Sequence, residues 1–382
     1  MIDRAMAKAA KELWKKYPVV TITGPRQSGK TTLARETFRS AEYVNLEIPD
    51  VREQAQADAR GFLERHPAPA IFDEIQNVPM LLSYIQDKVD GLRRNSCYVL
   101  TGSHQPLLQA AISQSLAGRT GILELLPLSI RELAADGRKT DKDHLMFNGF
   151  MPRLYSSRLG ATQLYSDYFK TYIERDLRQL ANLRHMRQFE VFVRILAGRV
   201  GQLLNLESLS SDVGVSAGTV REWLSLLEAS YIVKLLPPYY RNFGKRFIKS
   251  PKVYFTETGL ACYLLGMKDP AQVGVHPLAG NLFENMVVME AVKRRLNAGE
   301  DANFYFMRTS NGVEVDLVEE VGSKLEMREI KYGSTFHGEM AKNLRAMKAA
   351  LPDEVGAMRV VYGGDGAVVD GVEFVNFVAD EW

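Results

Sequence analysis

Between residues 19 and 130, short runs rich in β-branched and aromatic residues alternate with stretches of helical periodicity. The runs over 19–23, 43–46, 70–72, 98–101 and 122–125 read as strands. Helix-length connections between them predict a parallel sheet covered on both faces. From 128 to about 187 there is no clear strand, and Tyr165, Tyr168, Phe169, Tyr172 and Ile173 recur at helical spacing, as in a lid or connector. Further on, Leu206, Leu209 and Val213 form one short apolar face, Gly214 and Ser216 break it, and a second helical pattern runs over 217–229. Two β runs, 231–233 and 253–255, then flank a loop rich in Arg, Lys and aromatics, an order that suits a winged helix-turn-helix. The remainder is α/β again, with strands expected near 304–307, 313–318, 327–330 and 359–362. The pattern thus predicts an α/β core over 1–130, a helical connector over 131–187, a winged helix over 188–256 and a second α/β domain over 257–382.

At the start of the chain, Ile2, Met6, Ala9, Leu13, Trp14 and Tyr17 follow helical spacing with Lys and Arg between them. A packing helix is expected, since a targeting peptide would need an apolar core segment and a small-residue cleavage site that this stretch lacks. Composition narrows the class. With 382 residues, 46% hydrophobic and 25% charged, the chain is neither a disordered, a collagen-like nor a disulfide-scaffold sequence. The 48 Lys and Arg nearly cancel the 46 Asp and Glu, so any nucleic-acid role must rest on a local basic patch. Cys97 and Cys262 stand far apart, the His residues never take metal-ligand spacing, and no run approaches the ~18 apolar residues of a membrane span. A reduced cytoplasmic protein without structural zinc is the expectation.

Candidate chemistry begins where the first strand ends. Gly24, Pro25, Arg26, Gln27, Ser28, Gly29, Lys30 and Thr31 fit GxxxxGK[ST], followed by the helical pattern that opens with Thr32. Glycines let the backbone curl its N–H groups around phosphates, and the helix N-terminus adds a positive dipole. Lys30 would reach the β and γ oxygens of ATP, and the Thr31 hydroxyl would ligate Mg²⁺. About forty residues on, an apolar run ends in Asp73-Glu74, which fits an Asp that organises Mg²⁺ and a Glu that polarises the attacking water. Ser103, at the end of the next strand, is a candidate γ-phosphate sensor or a structural Ser in a tight turn. Arg119, before the fifth strand, would either stabilise transition-state charge in a neighbouring subunit's site or form an intrachain salt bridge.

The ordered set GPRQSGKTTL, IFDEIQNVP, LTGSH, LAGR with LLPLSIREL, YIERDL, FEN, EVDLV and EIK resembles a prokaryotic AAA+ ATPase family with a C-terminal domain of unknown function. The resemblance covers nearly the whole chain and implies a core of the additional-strand, catalytic-glutamate class, working as a ring-like homo-oligomer. Two departures stand out: NGFMPRL replaces a GGxP-type segment, and the last motif begins REIK, which keeps the acidic residue and Lys in place.

A second chemistry lies near the C-terminus. Glu284 on a helix, Asp316 on one strand, and Glu329 with Lys331 on the next resemble the PD-(D/E)xK restriction-endonuclease arrangement. Glu329 and Lys331, two apart, share one face of a strand. Asp316, Glu329 and Glu284 would hold Mg²⁺ against a phosphodiester while Lys331 orients water; the alternatives are a charged sheet face or a nuclease-like fold kept for binding. Between the two chemistries, Arg241, Lys245, Arg246 and Lys249 are interleaved with aromatics at the tip of the expected wing, and Arg221 lies on the expected recognition helix. Such cations contact DNA phosphates while the aromatics stack on bases; a wing that only docks to its neighbour is the alternative. The expected function is an ATP-hydrolysing oligomer that binds DNA and couples turnover to its remodelling or processing. The alternative is a nucleotide-dependent regulatory or defence switch whose C-terminal domain binds a partner without cleaving DNA.

Overall fold

A computed structural model describes residues 2–103, 111, 112, 114–176, 186–239, 250–379 and 382, with the backbone alone for 173–176. The chain forms two compact units: Met1–Leu128 with Ala229–Tyr231 and Lys293–Asp301, and Ser129–Glu228 with Ile232–Val292 and Ala302–Trp382. Among the described residues, no helix is long and apolar enough to cross a membrane.

In the first unit, strands β1 (Val19–Gly24), β2 (Glu42–Asn45), β3 (Ala70–Asp73), β4 (Tyr98–Ser103) and β5 (Thr120–Glu124) form a parallel sheet in the order β2-β3-β4-β1-β5. All five expected strands are present, most of them a residue or two longer than their apolar runs. Alternation within each strand sends side chains to two cores. Val19, Phe72, Tyr98 and Leu100 face one side, with Leu82 and Ile85 of helix α3 below; Val20, Ile22, Ile71, Val99 and Leu123 face the other. The residue ranges of the covering helices are Ala7–Lys16 (α1), Lys30–Thr37 (α2) and Leu81–Leu92 (α3). Met6, Ala9 and Ala10 join the second core, with Leu13 and Trp14 against it, so the basic amphipathic start is a packing helix. Because β4 inserts between β3 and β1, the carboxyl ends of β1, β3 and β4 lie side by side, the place where open parallel sheets build ligand sites.

The second unit opens with helices. Ser129 and Glu132 close a reciprocal capping box: the Glu132 N–H donates to Ser129 Oγ at 3.1 Å, and the Ser129 N–H donates to Glu132 Oε2 at 2.8 Å. The residues of the Tyr165–Tyr172 pattern lie on helix Ala161–Tyr168 and a π-helical run over Phe169–Asp176, and Tyr165, Tyr168, Phe169 and Tyr172 are buried. Helices α4 (Leu206–Val213) and α5 (Ala217–Ala229) follow, with Gly214 in the left-handed region at the C-cap of α4. Strands β6 (Val233–Leu236) and β7 (Lys252–Phe255) pair antiparallel.

After the long helix α6 (Ala279–Asn297), strands β8 (Phe304–Arg308), β9 (Glu314–Val321), β10 (Lys324–Ile330), β11 (Val355–Tyr362), β12 (Ala367–Val369) and β13 (Val372–Asn376) form a mixed six-stranded sheet in the order β12-β13-β11-β10-β9-β8. Helix α7 (Lys342–Ala350) connects the parallel pair β10 and β11 and buries Leu344 and Met347 in their core. Strands β12 and β13 were not expected from the sequence pattern. Their turn carries the local signal all the same, since Asp370 and Gly371 have φ of +50° and +74°, the pair of positive values a tight hairpin requires.

The Phe283-Glu284-Asn285 segment is a fastening point of this unit. Phe283 packs edge-on against Tyr332 and Phe377. Asn285, fully buried, accepts the Phe255 N–H at 2.6 Å and donates to the Phe255 carbonyl at 2.8 Å, tying α6 to β7. Replacing Asn285 by Ala orphans two buried backbone groups of β7, and at about 1–3 kcal/mol per unsatisfied group the unfolding free energy should fall by roughly 2–4 kcal/mol. Asn285→Asp, which keeps the shape but loses the donor, should also be destabilising; urea denaturation that finds both variants as stable as the parent chain would show that the bridge contributes nothing.

Candidate functional site

The loop after β1 is held open by backbone geometry. Gly24 has φ +147°, Gln27 +63° and Gly29 +95°, and Gly29 is the N-cap of α2. A side chain at Gly24 could not be accommodated, because its Cβ would stand 2.2 Å from the Leu125 carbonyl oxygen. The first turn of α2 contains no acidic residue, so its dipole is left for a bound anion. Pro25 and Ser28 are buried along the loop, and Arg26, Gln27 and Thr32 are exposed. Among the described residues, Ser28 Oγ is buried without a hydrogen-bond partner, a vacant donor inside the loop. Lys30 is almost fully buried and donates to the Gly24 carbonyl at 3.2 Å and the Pro25 carbonyl at 2.8 Å. Burial lowers its pKa, with the charges of Glu74 and Asp73 opposing the shift. An ammonium satisfied only by two neutral carbonyls gains from an arriving phosphate, so the residues present fit a nucleotide's phosphates.

Asp73, buried at the end of β3, gathers donors from three elements. Thr31 Oγ1 donates to its carboxylate, lying 3.0 Å from each oxygen, Tyr43 Oη donates to Oδ2 at 2.8 Å, and Thr101 Oγ1 donates to Oδ1. Burial and the hydrogen bond to Asp73 hold the Tyr43 hydroxyl well above the usual tyrosine range. Glu74, the next residue, sits in the left-handed region at φ 57°, ψ 51°. For a non-glycine residue that conformation costs on the order of 1–3 kcal/mol, a strain found at functional sites. Its N–H donates to Thr101 Oγ1 at 3.3 Å, and its Oε2 accepts from the Ser103 N–H at 3.3 Å, from Ser103 Oγ at 3.5 Å, and from Gln76. The structure therefore brings Lys30, Thr31, Asp73, Glu74 and Ser103 together at one edge of the sheet.

Sequence reasoning missed Tyr43, Thr101, Gln76 and Arg4. The Arg4 guanidinium donates to the Ser28 carbonyl at 2.6 Å and the Leu126 carbonyl at 2.7 Å, bracing the loop from the start of the chain. Nothing local marks it, since its partners lie 24 and 122 residues away. Beside α2 a cavity of about 550 Å³ is lined by Ile2, Asp3, Arg4, Ala7, Thr32 and Leu33 among others.

Arg119 is bonded within its own chain. Its Nε and one terminal nitrogen bind both carboxylate oxygens of Asp90 at 2.6 and 2.8 Å, and its other terminal nitrogen donates to the Ala117 carbonyl at 3.2 Å. Two parallel bonds to one carboxylate engage the guanidinium fork.

In the second unit the four residues Glu284, Asp316, Glu329 and Lys331 do converge. Lys331 Nζ lies 2.6 Å from Glu329 Oε1 and 4.0 Å from Asp316 Oδ2, and the Ile330 N–H donates to Asp316 Oδ2 at 2.8 Å. Lys252, absent from the sequence reading, joins them, as does Glu314, the first residue of the EVDLV motif. Lys252 Nζ lies 2.8 Å from Glu284 Oε1, 2.5 Å from Glu314 Oε1 and 3.7 Å from Asp316 Oδ1. Burial and then the Asp316 charge push Glu329 up to about 8 and Glu284 up to about 7. Burial opposes the charge on Lys252, but Glu284, Asp316 and Glu314 outweigh it and hold its pKa above the ordinary lysine value. The expectation of a metal on Glu284, Asp316 and Glu329 does not fit this arrangement: among the described residues, no three His, Cys, Asp or Glu side chains are placed to hold a metal ion. The carboxylates close on lysines instead.

Of the expected DNA contacts, Arg221 is exposed on α5. Arg241, Lys245, Arg246 and Lys249 lie outside the described residues.

Comparison with known proteins matches residues 16–134 to an AAA domain, 139–271 to a domain of unknown function (DUF8612) and 279–377 to a domain of unknown function (DUF4143). An uncharacterized protein of Mycobacterium tuberculosis is 31% identical over 352 residues, covering 91% of this chain and 77% of the relative. An uncharacterized protein of Haemophilus influenzae is 25% identical over 310 residues, covering 72% and 74%. Among solved structures, a Walker-type ATPase of Pyrococcus abyssi is similar at 15% identity, with 69% of this chain and 96% of that chain covered at a TM-score of 0.47. AMPPCP-bound DnaA from Aquifex aeolicus is similar at 15% identity, with 58% and 85% covered at a TM-score of 0.30.

The steric limit at Gly24 is directly testable. Gly24→Ala should destabilise the first unit by roughly 2–4 kcal/mol, the range of backbone clashes at special conformations. Gly91→Ala, within α3 and with open space around the new Cβ, should be neutral or stabilising by up to about 1 kcal/mol. Equal denaturation midpoints for the two variants would contradict the assignment.

Proposed function

Because this chain belongs to the prokaryotic AAA-type P-loop ATPases that carry a DUF4143 domain, we propose that it hydrolyses ATP with Mg²⁺ at the loop 24–31, as a homo-oligomer that couples turnover to DNA. One observation carries the catalytic assignment: Asp73 is bonded to Thr31, and Glu74, the next residue, to Ser103. In this reading Lys30 exchanges the carbonyls of Gly24 and Pro25 for the β and γ oxygens, while Ser28 and the N–H groups of loop 24–31 take further phosphate oxygens. Thr31 would hold Mg²⁺ with Asp73 behind it, and the bound ion would neutralise charge across the terminal phosphates. Glu74 accepts the proton of the attacking water, and Ser103 fixes its carboxylate. Both are strand-end residues, so their separation is set by the register of β3 and β4.

A DNA role is supported by the helix-turn-helix order of α4 and α5, the exposed Arg221, and a hairpin whose connecting stretch interleaves cations with aromatics. We read this segment as a winged helix contacting phosphates. A second reading, a nucleotide-dependent switch whose C-terminal domain binds without cutting, is favoured by one observation: the carboxylates expected to hold a catalytic metal are paired with Lys252 and Lys331. Stimulation of ATP turnover by DNA distinguishes the two, because a motor responds to its track.

Lys30→Ala should lose ATP binding, since its charge meets the phosphates in the ground state. Glu74→Gln should bind ATP normally and turn over at least ~100-fold more slowly, as expected when a general base is removed. A Glu74→Gln rate equal to that of the parent chain would remove Glu74 from the mechanism.

Replacing Arg241, Lys245 and Arg246 together by Ala should weaken DNA binding and flatten its dependence on salt. Each lost phosphate contact lowers the slope of log K against log salt by about one unit. An unchanged slope in fluorescence-anisotropy titrations would place the DNA surface elsewhere.

A further inference from the structure

We propose that Lys252 is the resident cation of the C-terminal carboxylate cluster: its ammonium stands where a divalent ion would otherwise be drawn, and the domain keeps nuclease-like walls without taking a metal. The inference concerns the cluster alone and is independent of whether DNA or another partner is bound.

Around Lys252 the geometry is that of a filled site; in the rest of the cluster, Glu329 Oε2 is buried without a hydrogen-bond partner among the described residues. Lys252 is 2% exposed and its Nζ is within 2.8 Å of Glu284 and Glu314, carboxylates carried by α6 and β9, with Asp316 at 3.7 Å. An ammonium has three donors and no acceptor, so a pocket of anionic oxygens satisfies it fully. Tyr254, two residues on and therefore on the same face of β7, donates to the same Glu284 oxygen at 2.6 Å. The strand that carries both is clamped to α6 by Asn285, whose amide bridges both backbone groups of Phe255. The ring of Phe306 lies 5.6 Å from the ammonium.

Charge balance points the same way. Four carboxylates, Glu284, Glu314, Asp316 and Glu329, face three cations: Lys252, Lys331, and Arg308, which is paired with Glu314 Oε2 at 2.8 Å. The cluster is left with at most one net negative charge, too little to draw a dication into a buried space against the repulsion of three cations. Without Lys252 the balance returns to that of a metal site, and Glu284, Glu314 and Asp316 lose their common partner. The cation arrives from β7, 64 positions before Asp316, so the hairpin supplies the missing charge of a sheet that lies far along the chain.

The test counts bound Mn²⁺ on the full chain without nucleotide, by electron paramagnetic resonance of the free ion. The parent chain and Asp316→Asn should bind the same number of ions, whatever the P-loop region contributes. Lys252→Ala and Lys252→Gln should each gain one Mn²⁺ per chain, lost again when Asp316→Asn is added, and Mn²⁺ should raise their melting temperature more than the parent's. An Asp316-dependent ion in the parent chain would overturn the proposal, as would a folded Lys252→Ala chain, judged by circular dichroism, that gains none. Should both Lys252 variants fail to fold, the comparison of the parent chain with Asp316→Asn decides alone.

Discussion

Asp73 accepts hydrogen bonds from Thr31, Tyr43 and Thr101, side chains that stand on α2, β2 and β4. A carboxylate buried this deeply needs its oxygens filled with donors. The requirement works in both directions: the charge draws the loop-bearing helix and two strands to the end of β3, and those elements fix where the charge sits. Glu74 follows from it, because the chain must turn sharply after a residue so constrained, and the left-handed conformation of Glu74 is that turn. The strain is sustained because the Glu74 N–H and carboxylate are both bonded to β4, through Thr101 and Ser103.

The second unit solves a related electrostatic problem with the opposite means. Its buried carboxylates are met mainly by lysines, Lys331 just after β10 and Lys252 from the β6–β7 hairpin, with the Tyr254 hydroxyl also donating to Glu284. Buried ion clusters of this kind contribute little to stability relative to apolar packing, yet breaking one leaves uncompensated charge. Lys252, paired with Glu284 and Glu314, ties the hairpin to α6 and β9, as Asn285 ties β7 to α6 through the backbone.

The two units also differ in what is left unsatisfied. In the loop after β1, Ser28 Oγ has no partner among the described residues and Lys30 is bonded to two neutral carbonyls, so an arriving polyanion gains interactions that these groups do not otherwise make. In the C-terminal cluster the cations are already paired with carboxylates. One site is preorganised for an absent charge; the other holds its own.

Much of this was legible along the chain. The glycines and Lys30 of the loop, the Asp73-Glu74 pair and the β runs are local patterns whose spacing directly encodes a conformation, and each lies where its pattern placed it. The order of strands, and so the meeting of Glu74 with Ser103, is not encoded in the periodicity of the chain. Even the Asp370-Gly371 turn carried its signal and went unread. What only the tertiary structure decided are the partners of charged groups: Arg4 with the loop carbonyls, Arg119 with Asp90, Tyr43 with Asp73, Lys252 with Glu284 and Glu314. The reason is physical. A glycine or an apolar stripe acts on its own neighbours in sequence, whereas a buried charge is settled by whichever opposite charge the fold delivers within about 4 Å, and that distance is unrelated to separation along the chain.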